Sequence, residues 1–125
     1  MKKREAADTV VFHKYLTAQR LHGAFELKHT ETDSIPFSAF EDHQLNGLVA
    51  IQESGLIYKL PDTDVRIKPC DIVHTPPMVG YCVVRYPKAF VLITVNNFLH
   101  ARIAHRKKSL SYEKACDIAT KIIYV

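Results

Sequence analysis

Between Ala24 and His29 the chain alternates strictly: Phe25 and Leu27 fall on one side of an extended segment, Glu26 and Lys28 on the other. This predicts a short strand with one apolar and one charged face. Upstream, Val11, Tyr15 and Ala18 recur at helical spacing with Phe12 and Leu16 beside them, which predicts a helix over about residues 3–20, ended by His22-Gly23. Downstream, a polar turn-forming stretch runs to Pro36. A second helix is then predicted over about residues 39–53, with Leu45, Leu48 and Val49 as its apolar stripe and Gly55 closing it. Ser38-Ala-Phe-Glu41 matches a capping box at its start.

The second half reads as strands followed by helices. Residues 56–60 form a strand, 61–64 a turn, and 65–74 a loop that becomes a short strand near Asp71. Residues 79–86 and 89–95 read as a hairpin turning at Pro87-Lys88. A short helix over about 97–104, a basic linker at His105-Arg-Lys-Lys108 and a last helix over about 112–123 complete the chain. Ala115, Ile118, Ala119 and Ile122 share one face of that last helix. The order α-β-α-β-β-β-β-α-α predicts an α/β fold, a mixed β-sheet flanked by helices, in a single domain over residues 1–125.

Composition narrows the partners more than the fold. Seventeen Lys and Arg against 13 Asp and Glu give a net charge of +4, which suits a polyanion without requiring one. Three scattered cysteines, Cys70, Cys82 and Cys116, show no C-x-x-C spacing and predict neither a disulfide framework nor a zinc site. No stretch has the length of a membrane span, and the opening Met1-Lys-Lys-Arg-Glu lacks a secretory leader's apolar core. The expectation is an intracellular, cytoplasmic protein. The seven histidines show no metal-ligand spacing, and no P-loop or dinucleotide fingerprint is present. His29 and His43 flank the charged strand.

Glu26-Leu27-Lys28 alone is most often the pattern of a solvated strand face. In context it is F-E-L-K, a polar loop with Thr32 and Ser34, and then P-F-S-A-F-E-D-H-Q. That arrangement resembles the core of RecU-type Holliday-junction resolvases, closest to their small phage-encoded relatives in the PD-(D/E)xK nuclease superfamily. Tyr58-Lys-Leu-Pro-Asp62, Lys68-Pro-Cys-Asp71, the strand pair at 81–86 and 90–94, and Arg106-Lys-Lys-Ser-Leu-Ser-Tyr-Glu113 are similar to later segments of the same relatives. The resemblance touches residues 23–113.

The resemblance implies a restriction-endonuclease-like core, an Mg²⁺ (or Mn²⁺) cofactor, a DNA substrate that is branched or structured, and a homodimer. Glu26 and Asp71 would be carboxylate ligands, with the Leu27 carbonyl as a third. Lys28 would orient the attacking water or stabilise charge on the phosphate, and Gln44 would contact the water or the scissile phosphate. Glu5 on the first helix corresponds to an assisting glutamate, and His43 sits beside Gln44. Lys59, Lys68, Arg102, Arg106, Lys107 and Lys108 are the candidate phosphate contacts. The signature aspartate that usually precedes the E-x-K strand has no counterpart on a strand here, because the first helix runs almost directly into Ala24; Asp71 is the candidate to replace it. Two other readings stay open: a catalytically inactive nucleic-acid-binding domain of the same fold, and a small interaction protein whose polar residues are ordinary surface.

Overall fold

The computed structural model describes residues 2–60 and 70–125, with side chains from residue 7 onward. The elements are α1 (Lys2–Gln19), β1 (Ala24–His29), β2 (Ser34–Pro36), a 3₁₀ turn (Phe37–Ala39), α2 (Asp42–Ser54), β3 (Leu56–Lys59), β4 (Ile72–Thr75), β5 (Gly80–Tyr86), β6 (Ala89–Thr94), α3 (Val95–Ala104), β7 (Ser109–Ser111), α4 (Tyr112–Ile118) and β8 (Lys121–Tyr124). Four strands form the central mixed sheet in the order β1-β5-β6-β8, with β1 parallel to β5 and the other neighbours antiparallel. Two separate ribbons, β2 with β7 and β3 with β4, stand outside it.

Helices cover both faces of the sheet. Strands β5 and β6 are buried on both sides and so read as near-continuous apolar runs, interrupted in β5 by Arg85. On one face Cys82, Val84, Tyr86, Val91 and Ile93 pack with Phe40, Leu45 and Leu48 around α2 and with Phe98, Leu110 and Ala115 around α3 and α4. On the other, Phe12 of α1 packs with Val83, Phe90, Leu92 and Ile123. Strand β1 lies at the sheet's edge, and its alternation sends Phe25 and Leu27 to the α1 face. Glu26 and Lys28 therefore project on the α2–α3 face. Gly23, at φ +156°, makes the approach to β1 possible, since a Cβ there would sit 2.8 Å from the Val79 carbonyl oxygen.

The structure departs from the sequence expectations at four places. The last helix ends at Ile118, and the β-branched run at its predicted end forms β8, which pairs with β6 and buries Ile123. Ser38 caps nothing: burial of Phe37 and Phe40 winds residues 37–39 into a 3₁₀ turn, so α2 starts at Asp42 with Glu41 as its N-cap. The capping box exists with different members, Glu41 and Gln44, and the Gln44 side-chain carbonyl accepts from the Glu41 amide at 3.0 Å. In α1 the sheet-facing set is Phe12, Tyr15 and Leu16, while Val11 is exposed. Finally, Ser34–Pro36 and Ser109–Ser111 pair as a ribbon, held to the sheet by the Tyr86 hydroxyl, which donates to the Leu110 carbonyl at 2.9 Å.

Candidate functional site

Strand β1 brings two of the sequence-predicted residues side by side. Lys28 Nζ lies 3.8 Å from Glu26 Oε2, and both side chains are about a quarter to a third exposed (22% and 32%). A pair this open contributes roughly 0–1 kcal/mol to stability, so packing does not explain its presence on the edge strand. Cys82, directly opposite Glu26 on β5, lies beneath the pair. Burial pushes the Cys82 thiol up to about 12, the Glu26 carboxylate pushes it the same way, and the Arg102 guanidinium opposes. Glu26 and Arg102 thus both act on one buried sulfur, which places Arg102 of α3 on the Glu26 side of the sheet.

The backbone adds a further oxygen. Ala24 and Thr30 donate their amides to the carbonyls of Val79 and Arg85. In a parallel ladder alternate residues address the same neighbour, so the even-numbered residues of β1 face β5 and the carbonyl of Leu27 faces the open edge. Glu26 also lines the mouth of a cleft of about 390 Å³ at that edge, with Thr9, Phe12, His13 and Leu16 of α1. Glu26 and the Leu27 carbonyl are hard oxygen donors of the kind Mg²⁺ takes.

The other candidates are distributed. Asp71 immediately precedes β4, and its carbonyl accepts from the Leu60 amide at 2.8 Å. It therefore belongs to the β3–β4 ribbon and not to the sheet carrying Glu26. No group of three His, Cys, Asp or Glu side chains is placed to hold an ion among the described residues. Lys68 and Asp62 lie outside the described residues, as does the side chain of Glu5. Lys59 is exposed at the end of β3. Gln44 is half-buried in the first turn of α2 with its carbonyl committed to the cap, and exposed His43 stands 3.3 Å from Glu41 Oε2.

The basic residues of the second half do converge. A groove of about 710 Å³ runs between the start of α2 and the turn after α3, with Arg102, His105, Arg106, Lys107 and Lys108 on one wall and Glu41 and Asp42 on the other. Arg102 Nη1 donates to Asp42 Oδ1 at 3.2 Å and ties the walls together. His105 and Lys107 also line an adjoining cavity of about 320 Å³ with Lys114. His105 and Lys114 were not foreseen as part of this surface. The only sequence signal for His105 was its place at the head of the basic run, and Lys114 gave none.

A second polar cluster lies on the α1 face. Asp8 Oδ2 accepts from or pairs with His29 Nδ1 at 2.6 Å, and its Oδ1 is 3.9 Å from Arg85 Nε. Arg85 also lies over the Phe90 ring at 5.2 Å. The cluster fastens α1 to β1 and β5, and it assigns Asp8 to helix docking on the face opposite Glu26. Among the described residues no helix is long and apolar enough to cross a membrane. Comparison of the chain with family models, with curated proteins and with solved structures returns no match.

Proposed function

We propose that this protein is a metal-dependent endonuclease that hydrolyses phosphodiester bonds in branched or structured DNA, in the manner of the RecU-type resolvases its motifs resemble. The observation carrying the reading is the Glu26–Lys28 pair on an edge strand, partly exposed, with the Leu27 carbonyl turned to the same open edge. Glu26, the Leu27 carbonyl and Asp71 would hold Mg²⁺ or Mn²⁺, which supplies charge neutralisation and an acidified water. For Asp71 this requires the ribbon to approach the edge of β1.

This chain's own groups account for the rest. The Lys28 ammonium offers three donors where negative charge grows on the phosphate. The groove lined by Arg102, Arg106, Lys107 and Lys108 would hold the backbone away from the reacting bond, and it contributes affinity without sequence preference. Gln44, whose carbonyl is occupied, would act through its amide nitrogen. Two strands cut symmetrically call for two copies of the chain.

The test is incubation of the purified protein with a four-way junction, a nicked duplex and single strands, with Mg²⁺ or Mn²⁺ and with EDTA. Junction cleavage that depends on metal and is lost in Glu26→Ala supports the reading, and absence of metal-dependent cleavage on every substrate removes it. An inactive DNA-binding domain of the same fold is the second reading, and the groove is the observation that favours it. It predicts salt-sensitive binding, unchanged in Glu26→Ala, with no cleavage.

A further inference from the structure

Between α3 and α4 lies a cavity of about 510 Å³ that the proposed reaction leaves idle. Small-molecule sites typically span roughly 300–1,000 Å³, so its size suits a ligand. Helical spacing builds the α3 wall: Asn97, His100 with Ala101, and Ala104 with His105 recur at three and four residues and share one face. Lys114, Asp117 and Ile118 come from α4. His105, Lys114 and Asp117 also line the smaller cavity of about 320 Å³, where Lys107, Ser109 and Ser111 join them. The site thus has two compartments, one largely aliphatic and one rich in cations and hydroxyls. Asp117 is the group that calls for a ligand. A carboxylate in the last turn of a helix opposes the macrodipole, so it does not serve α4. Lys114 lies one turn away and lines the same two cavities. Yet among the described residues neither side chain has a hydrogen-bond or ion-pair partner.

We infer that the two compartments together bind a free ribonucleoside 5′-phosphate. The small side chains of Ala101 and Ala104 leave room for a planar base, and the Asn97 amide offers its edge both a donor and an acceptor. The phosphate suits the smaller compartment, where Lys107, Lys114 and His105 outweigh Glu113. There the Ser111 hydroxyl accepts from the Lys114 amide at 3.2 Å and keeps its own proton to donate. Asp117 lines both compartments and so stands where they meet, at the sugar, and a carboxylate accepts from ribose hydroxyls. That carboxylate decides between two sources of the same group. At the 5′ end of a strand the sugar's 3′ oxygen carries the next phosphate, which Asp117 repels. A free ribonucleotide offers it two hydroxyls instead. The inference needs neither a metal nor Glu26 nor Lys28, so it stands apart from the nuclease reading.

Isothermal titration calorimetry of the full chain with adenosine 5′-phosphate (AMP) tests it. AMP should bind saturably with a Kd below about 1 mM, and adenosine at least about tenfold more weakly for want of the charge-assisted contacts. Adenosine 3′,5′-bisphosphate should also bind more weakly than AMP. Lys114→Gln should weaken AMP about tenfold and leave adenosine unchanged. Asp117→Asn should weaken AMP yet erase the penalty on the bisphosphate, a reversal that loss of folding does not produce. Both substituted side chains are exposed, so neither change removes buried packing. Glu26→Ala should bind AMP as wild type does, whether or not wild type cleaves DNA. Absence of saturable AMP binding up to about 5 mM overturns the inference. Equal affinities for AMP and adenosine overturn it, as does an Asp117→Asn variant that still disfavours the bisphosphate. A 5′-phosphorylated DNA dinucleotide that binds more tightly than AMP overturns it too, since the pocket would then hold strand ends.

Discussion

Substitution at Phe12 separates the two faces of β1. Phe12 is 4% exposed and is the buried anchor of α1; its ring packs edge-on to Phe25 at 5.4 Å and 83°, and stacks on Phe90 at 5.1 Å and 29°. Truncating a buried phenylalanine to alanine costs about 3–5 kcal/mol, from lost transfer energy plus the cavity left behind. Phe12→Leu keeps much of the volume and loses two aromatic pairs, each about 0.5–1.5 kcal/mol, so it should cost about 2 kcal/mol. In urea, with a slope near 2 kcal/mol/M, the midpoint should fall by about 1 M for Phe12→Leu and about 2 M for Phe12→Ala. Circular dichroism at 222 nm with intrinsic tyrosine fluorescence measures both. Folded Phe12→Leu at about 20 °C should cut DNA within roughly twofold of wild type, because Phe12 packs with Phe25 and Leu27, and alternation along β1 turns the Glu26 and Lys28 side chains to the other face of the sheet. Glu26→Ala should behave oppositely, with stability within about 1 kcal/mol of wild type and cleavage gone. A loss below about 1 kcal/mol in Phe12→Ala would refute the reasoning, since it would mean that α1 is not fastened to the sheet through this ring.

Other expectations follow from single contacts. Lys28→Ala should abolish cutting while junction binding, read by gel shift, stays near wild type; equal loss of both would make Lys28 a docking contact. Tyr86→Phe should cost about 1–2 kcal/mol by leaving the buried Leu110 carbonyl short of a donor, and urea unfolding checks it. Cys82 is raised by burial, Glu26 adding, from 9.0 unfolded to about 12 folded, so the stability it contributes is present below pH 9 and drains away as pH rises from about 9 to 12. Cys82→Ala should flatten that alkaline fall, and a thiol reagent at pH 8 should label exposed Cys70 quickly while sparing Cys82 until the chain unfolds. Gly55→Ala should be destabilising by about 2 kcal/mol or more, because φ is +75° and the new Cβ would meet the Thr75 carbonyl oxygen; thermal unfolding reads it.

What the sequence made legible was whatever a short window determines. β1 was read at its observed bounds because four consecutive side chains alternate, and the 87–88 turn because Pro87 and Lys88 interrupt two apolar runs. β8 was misread because Ile122 continues the helical stripe of Ala115, Ile118 and Ala119 and fits a strand as well; only the unpaired edge of β6 decides between them. The same limit applied to the cap of α2. Ser38 satisfies the local pattern, but two buried rings tighten the backbone around it and move the helix start. The Glu26–Lys28 face was visible from alternation alone, whereas its neighbours Cys82 and Arg102 come from strands and helices far along the chain. Asp71 was placed by resemblance, and the ribbon it belongs to could not be located relative to β1 from local signals.

Among the described residues strand β1 pairs only with β5, and Ala24 meets Gly80 across α2 and the ribbon. The β5–β6 hairpin, closed by two residues, can assemble early, whereas a parallel strand waits for a long loop to close and gains nothing until it does. The carboxylate and the amine therefore arrive last during folding and leave first during partial opening. Native-state hydrogen exchange should find the amides of Ala24, Glu26, Lys28 and Thr30, which face β5, released in an excursion well below global unfolding, with the hydrogen-bonded amides of the β5–β6 hairpin still protected. A chain newly made or mildly stressed would keep its hydrophobic centre while lacking the face proposed to act on DNA, so that any catalytic competence reports on the completeness of folding.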